Sequence, residues 1–227
     1  MPLRKPRLLI VIATVLFVAL TVRLGFWQLD RGQQKAAKAE RLAAMDRLVP
    51  TAWQGEIGDA AWQRRYWVSG RWQPGGQIFL DNRLEAGRAG FHVLAPLQLA
   101  DGRWLLINRG WLPKQQDHAP AAPLPEGEVR LLVRLQPPEQ HYLALSSEQQ
   151  AGAMWQNLDW DRYRLLAHAP LVAALAYQLE GADTLSRRWP APDLGVEKHY
   201  AYAGQWFLFA TLAVALFLIL HWKRPRP

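Results

Sequence analysis

Tyr200-Ala-Tyr-Ala-Gly-Gln-Trp-Phe-Leu-Phe-Ala-Thr-Leu-Ala-Val-Ala-Leu-Phe-Leu-Ile-Leu-His-Trp222 runs for 23 residues without an Asp, Glu, Lys or Arg. Coiled as a helix it reaches about 34 Å, enough to cross the hydrocarbon core of a bilayer with some tilt. A second apolar run, Leu8 to Val22, lies at the opposite end of the 227-residue chain. Alone it reaches only about 23 Å. It spans if the helix continues through Leu24-Gly-Phe-Trp-Gln-Leu29 while Arg23 snorkels toward the headgroups. The expected fold class is therefore a membrane protein, two transmembrane helices flanking a strand-rich α+β extracytoplasmic domain. The expected segments are a basic tail (1–7), a first span (8–29), a domain with a helical stalk (30–198), a second span (199–222) and a basic tail (223–227).

Orientation follows from charge. Arg4, Lys5 and Arg7 precede the first span, and Lys223, Arg224 and Arg226 follow the second. By the positive-inside rule both tails are cytoplasmic, and the central domain is outside. Arg31, Lys35, Lys38 and Arg41 oppose this weakly, because a long segment translocates largely regardless of its charge. The basic start also fits a signal peptide, but no Ala-x-Ala-like cleavage site follows, so an uncleaved anchor is expected. Six of the positive charges behind the net +8 are these tail residues, and no zinc-finger, helix-turn-helix or RNP pattern accompanies them; no nucleic-acid partner is expected. Absent cysteine excludes Cys-x-x-Cys-His haem attachment, thiolate copper transfer and disulfides within this sequence.

Between the spans, Asp30 to Arg47 reads as a polar helical stalk. Strand texture begins at Tyr66-Trp-Val-Ser-Gly-Arg-Trp72, followed by the turn Pro74-Gly-Gly76 and by Gln77-Ile-Phe-Leu80. Phe91 to Ala100 and Arg103 to Trp111 flank Asp101-Gly102, the strongest hairpin signal. In Glu128 to Leu135, Val129, Leu131, Val133 and Leu135 share one face of a half-buried strand. Pro113 to Gly127 reads as an exposed loop, and Asp159 caps a short helix to Leu166. Leu171 to Glu180 is ambiguous between helix and strand, and Pro190 and Pro192 break the chain before the second span.

Few residues offer chemistry. Of twelve tryptophans, Trp27, Trp206 and Trp222 suit an interfacial belt and most others suit a core. His199, Tyr202 and Trp206 share a helix face at the start of the second span, where a neutral imidazole is either a haem-iron ligand or a headgroup anchor. His221 lies about 33 Å further along that helix, too far to share its metal. His92, His118, His141 and His168 show no metal-ligand spacing. No phosphate loop, nucleophile elbow or His-Glu-x-x-His helix is present, and Asp159 with Asp161 is explained by a helix start, so an enzyme is not expected. Leu80-Asp-Asn-Arg83 and Ile107-Asn-Arg-Gly-Trp111 each end a strand with an Asn-Arg pair; Arg83 and Arg109 either clamp carboxylates or tie strand ends to loops.

Five of these stretches, in order, resemble the Surfeit-locus (SURF-type) cytochrome oxidase assembly proteins. They are Leu24-Gly-Phe-Trp-Gln-Leu-Asp-Arg31, Gly70-Arg-Trp72, Leu80-Asp-Asn-Arg83, Asn108-Arg-Gly-Trp111 and His199-Tyr-Ala-Tyr-Ala-Gly-Gln-Trp206. The resemblance covers nearly the whole chain, although Pro113 to Gly127 and Ser146 to Ala153 carry no such motif. It implies a bacterial inner-membrane factor for building haem–copper oxidases, binding haem a and passing it to the oxidase large subunit. The haem-a-synthesising machinery and the lipid bilayer are further expected partners. His199 then stands at the position of the proposed metal ligand, with Trp206, Trp27 and Tyr202 as cofactor-binding walls. Arg83 and Arg109 take only a general importance from their motifs. A structural, propionate-contact or partner-contact role for them and for Asn82, Asn108 and Trp111 is a separate expectation from the residues themselves. The alternative is a cofactor-free scaffold for an oxidase intermediate. A two-span sensor is disfavoured, since only a stub follows the second span.

Overall fold

The computed structural model describes residues 8–115, 120–138, 152–189 and 194–221. The six tail charges that set the expected orientation, Trp222, His118, His141, Pro190 and Pro192 lie outside the described residues. The chain divides into two compact units, one holding the helical ends up to Ala43 and from Ala191, the other running from Ala44 to Pro190.

Helix α1, Leu8–Arg47, is unbroken for 40 residues, so the first span and the stalk are one element. Helix α3, Val196–His221, starts three residues ahead of the expected second span. Both are long and apolar enough to cross a membrane. This bears out the expected fold class: two long apolar helices flanking a strand-rich domain.

The more sheltered side of α1 runs through Val11, Thr14, Val18, Thr21, Gly25, Gln28 and Gly32. That of α3 runs through His199, Ala203, Trp206, Ala210, Ala213 and Phe217. Both rows step by three and four residues, the seven-residue pattern of paired helices. Between apolar helices in lipid, close packing rather than water exclusion drives association, so small residues mark the seam. A Cβ at Gly25 would stand 2.6 Å from the Phe207 ring, and one at Gly32 2.9 Å from the Tyr200 ring. These contacts, seven residues apart on each helix and running in opposite senses, fix an antiparallel register. Phe26 adds an edge-to-face contact with Phe207 at 5.3 Å. The hydroxyl of Thr21, 1% exposed, donates to Phe17 O and Val18 O at 3.0 Å, so no polar group of that side chain is stranded.

The second unit is a small barrel. Its strands are β1 (Thr51–Ala52), β2 (Arg65–Trp72), β3 (Ile78–Glu85), β4 (Arg88–Gln98), β5 (Trp104–Pro113), β6 (Glu128–Gln136), β7 (Met154–Trp155) and β8 (Leu171–Gln178). The sheet order is β1-β2-β6-β8-β5-β4-β3-β7, and a further pairing of β2 with β4 closes β2, β6, β8, β5 and β4 into a ring. Closure rests on two register pairs, Arg71 with Gln98 and Trp72 with Leu97. Alternate residues point inward, as the two-residue period of a strand requires. Tyr66, Val68, Trp72, Ala95, Leu97, Leu105, Ile107, Leu131, Val133, Leu135, Val172, Ala174 and Ala176 form one buried cluster. The opposite faces of β4, β5 and β8 are covered by β3, β7 and helix α2 (Trp160–Leu166) through Leu80, Leu94, Leu106, Trp155, Tyr163 and Leu175.

The Asp101-Gly102 turn joins β4 to β5 as expected, with Gly102 at φ +83°. Asp159 accepts from the backbone N–H groups of Asp161 and Arg162, both at 3.0 Å, which is the cap that the sequence indicates. Leu171–Gln178 resolves as a strand, parallel to β5 and antiparallel to β6. Beyond Pro113, which ends β5, the described residues up to Gly127 are irregular and mostly exposed, as expected, with residues 116–119 outside the described set and one inward turn at Ala122. Ala122 is 6% exposed and Leu124 packs on the barrel cluster, because a buried arginine draws their backbone inward.

Candidate functional site

The sequence-derived residues fall into two groups, one on each unit. On the helical unit, His199 Nδ1 lies 2.6 Å from Gln28 Oε1 of α1. Which atom donates depends on the imidazole tautomer; with Gln28 Oε1 as the acceptor, the ring proton sits on Nδ1. Gln28 belongs to the Leu24–Arg31 motif, so the contact joins two stretches that lie 171 residues apart. Trp206 is two turns along α3 from His199, about 10.5 Å of rise, with an edge-to-face contact to Phe209 at 5.8 Å. Trp27, next to Gln28, is 49% exposed, with the Arg31 guanidinium 5.9 Å from its ring centre. Tyr202 is 52% exposed and lies off the sheltered row, whose place at that turn is taken by Ala203. His221 Nδ1 donates to Phe217 O at 2.8 Å, a contact within its own helix.

On the barrel unit, the two Asn-Arg motifs are β-bulges on either side of β4. Val93 pairs with Gly110 and Leu94 with Asn108, which leaves Arg109 as the extra residue of β5. Leu80 pairs with His92 and Arg83 with Gly90, so Asp81 and Asn82 of β3 oppose Phe91 alone. Asn82 takes φ +56°, a left-handed conformation that asparagine tolerates better than most residues, and its N–H donates to Asp81 Oδ1 at 2.7 Å. A bulge turns a side chain away from the regular alternation. Here it buries Arg109, 1% exposed. Nη1 donates to Gln77 Oε1 at 3.0 Å and to Ala122 O at 2.9 Å. Nη2 donates to Pro123 O at 3.0 Å and to Asp183 Oδ2 at 3.2 Å. Burial pushes the Arg109 pKa down while Asp183 pulls it back up. Arg109 thus fastens loops to the barrel.

Trp111 links the two bulges, its indole N–H donating to Arg83 O at 2.8 Å. Arg83 Nη2 donates to Gln156 O at 3.0 Å. Asn108 is buried; its amide donates to His92 Nδ1 at 3.4 Å, and its oxygen accepts from Gly110 N–H at 3.3 Å. His92 sits between the bulges, paired with Leu80 on one side and Trp111 on the other, and Trp189 meets its ring edge-on at 5.6 Å. Burial, and then the Arg83 charge, lower its pKa from 6.5 to about 4. The unfolded chain therefore binds the proton first as pH falls. This contribution to stability is complete above pH 6.5 and is lost between 6.5 and about 4. Its size is about 3 kcal/mol. His92→Phe is expected to flatten that part of the pH–stability curve; equal curves for both proteins would contradict it.

Sequence reasoning missed Gln28 and the bulges. The signal for Gln28 was a lone amide within a row of small residues at seven-residue spacing, Gly25 and Gly32 among them. Among the described residues, no group of three or more His, Asp or Glu side chains gathers in a way that would hold a metal ion.

The family model of the SURF1 family matches residues 15–211. The chain belongs to the SURF1 family. Among SURF1-like relatives, a protein of Rickettsia felis is 27% identical over 40% of this chain and 40% of its own length. An uncharacterized SURF1-like protein of Mycobacterium tuberculosis is 28% identical over 58% of this chain and 51% of its own length. A SURF1-like protein of Dictyostelium discoideum is 29% identical over 42% and 40%. The chain thus spans about half the length, or less, of the curated relatives it matches. The SURF1 match contains both the α1 motif with Gln28 and the α3 motif with His199, the two that meet in the helical pair.

Proposed function

We propose that this chain is an assembly factor for a haem–copper oxidase, holding haem a at His199 and passing it to the oxidase large subunit. One observation supports it above the others: His199 is held through Nδ1 by Gln28, at the end of α3 where the apolar span begins. A histidine fixed in this way presents Nε2 as a ligand for iron. The donor set fits a haem: one oriented imidazole, with the aromatic faces of Trp206 and Trp27 on the same helical pair and apolar helix surface continuing into the membrane. When bound, haem a supplies the iron that accepts the Nε2 lone pair. His199 would ligate that iron, Gln28 would orient the ring, and the spans would keep bulk water from one side. A single imidazole from this chain is a hold that a recipient can break, as a chaperone requires. Membership of the SURF1 family supports the assembly role.

In this reading the protein sits in the bacterial inner membrane as a two-span protein. Both tails are cytoplasmic and the barrel is periplasmic, where it docks the client or the machinery that makes haem a. The Arg109 network serves that docking surface as internal bracing rather than as a propionate clamp.

Purification from cells that make haem a provides the test, with visible spectra of wild type and His199→Ala. Wild type is expected to carry haem, and the variant about tenfold less or none. Wild type without haem would favour a cofactor-free scaffold, in which the His199–Gln28 contact serves only to join the helices. Equal haem in both proteins would remove His199 from the ligand role.

A further inference from the structure

We infer that Gln28 is a positioning residue for His199. It selects the imidazole tautomer that can bind a metal, and makes that selection depend on the pairing of the two spans. This rests on the reading of His199 as the iron ligand, and adds a residue and a condition to it. An imidazole bears one proton in its neutral form, on Nδ1 or on Nε2, and only the unprotonated nitrogen can ligate. In a metal site the second nitrogen is usually held by an acceptor, which fixes the ring and raises its basicity. Gln28 Oε1 at 2.6 Å from Nδ1 is such an acceptor.

The geometry around the pair explains why the contact is specific. Gln28 lies on the sheltered row of α1 between Gly25 and Gly32, and His199 lies on that of α3, next to Tyr200, whose ring rests on Gly32. The close approaches at Gly25 and Gly32 fix the spacing at which a glutamine side chain reaches the ring. His221 shows the contrast. Its Nδ1 donates to a carbonyl of its own helix, four residues back, so its tautomer is set whether or not α1 is present. The acceptor of His199 comes from the other span. If the spans part, the ring loses its acceptor, rotates freely and populates both tautomers. The hold on iron then weakens without any change to the ligand itself. A client that separates α1 from α3 would thereby loosen the cargo as it docks.

The test begins with the metal-free protein. Full-length chain with 15N-labelled histidine is placed in lipid nanodiscs, and His199→Ala identifies the His199 signals. Wild type is expected to show a single Nδ1–H tautomer. Gln28→Leu, close in size but without an acceptor, is expected to show a mixture. Gln28→Glu should restore one tautomer, with the proton drawn further toward the carboxylate. The second arm uses protein from cells making haem a. Gln28→Leu should retain about tenfold less haem, within the 10–100-fold usual for lost outer partners of a metal ligand. Gln28→Glu should recover retention, and its more basic imidazole should lower the reduction potential of the bound haem. A wild type with its proton on Nε2 would overturn the inference, as would a tautomer unchanged in Gln28→Leu. If no variant or wild type binds haem, the ligand reading fails, while the tautomer measurement still decides the role of Gln28.

Discussion

Arg109→Leu is expected to cost the barrel about 3–5 kcal/mol, the range for breaking a buried ion pair by removing one partner. The guanidinium is 1% exposed, and its two terminal nitrogens donate to four acceptors: Gln77, Ala122, Pro123 and Asp183. Its flat face also lies 5.4 Å from the Trp72 ring centre. Leucine fills part of the space but leaves those acceptors without a donor. Asp183 keeps its bond to Arg187 at 2.6 Å, which softens the loss without removing it. For a unit of this size the thermal midpoint should fall by about 10 °C, measured by tryptophan fluorescence on the full chain. Haem retention at His199, measured below the new midpoint, should change little. An unshifted midpoint would show that the network is not what braces the barrel.

Gly25→Leu combined with Gly32→Leu has the opposite pattern. At both positions even a Cβ would meet an aromatic ring, at 2.6 Å from Phe207 and 2.9 Å from Tyr200. Those rings are fastened to α3 and have α1 beneath them, so two leucines push the helices apart. Separation removes the Gln28 acceptor from His199. The double variant is expected to lose as much haem as His199→Ala, with the barrel melting at the wild-type temperature. Single alanines should have smaller effects, since a ring can tilt by a few tenths of an ångström. Full haem retention in the double variant would mean that the close pairing of the spans is not needed.

Much of this architecture is legible in the sequence because it rests on local physics. The 23-residue uncharged run, the Asp101-Gly102 turn and the Asp159 cap each act within their own neighbourhood. What escapes is set by partners distant in the chain. Tyr202 and Ala203 are equally good neighbours of His199 on a helix. The choice falls to Ala203 because a helix pair closes on small side chains, and only the position of α1 decides which side that is. The bulges at Asp81-Asn82 and at Arg109 depend on the register of three strands, and neither motif reveals it alone. Barrel closure hangs on a two-pair contact between β2 and β4, which leaves no mark in either strand. Leu171–Gln178 carries alanines and leucines that suit a helix equally well, and becomes a strand because β5 and β6 leave a gap between them. His199 was legible as a candidate, while the amide that orients it was not.

A cysteine-free chain is well suited to measuring whether the two spans meet in the stated register. Gly32→Cys with Tyr200→Cys, introduced together and oxidised in native membranes, should crosslink readily within one chain. Gly32→Cys with Phe207→Cys places the thiols about 10 Å out of step along the helix and should not. Crosslinking of the first pair alone is the expected result. No crosslink in the first pair, or a preference for the second, would separate His199 from Gln28 and contradict the account.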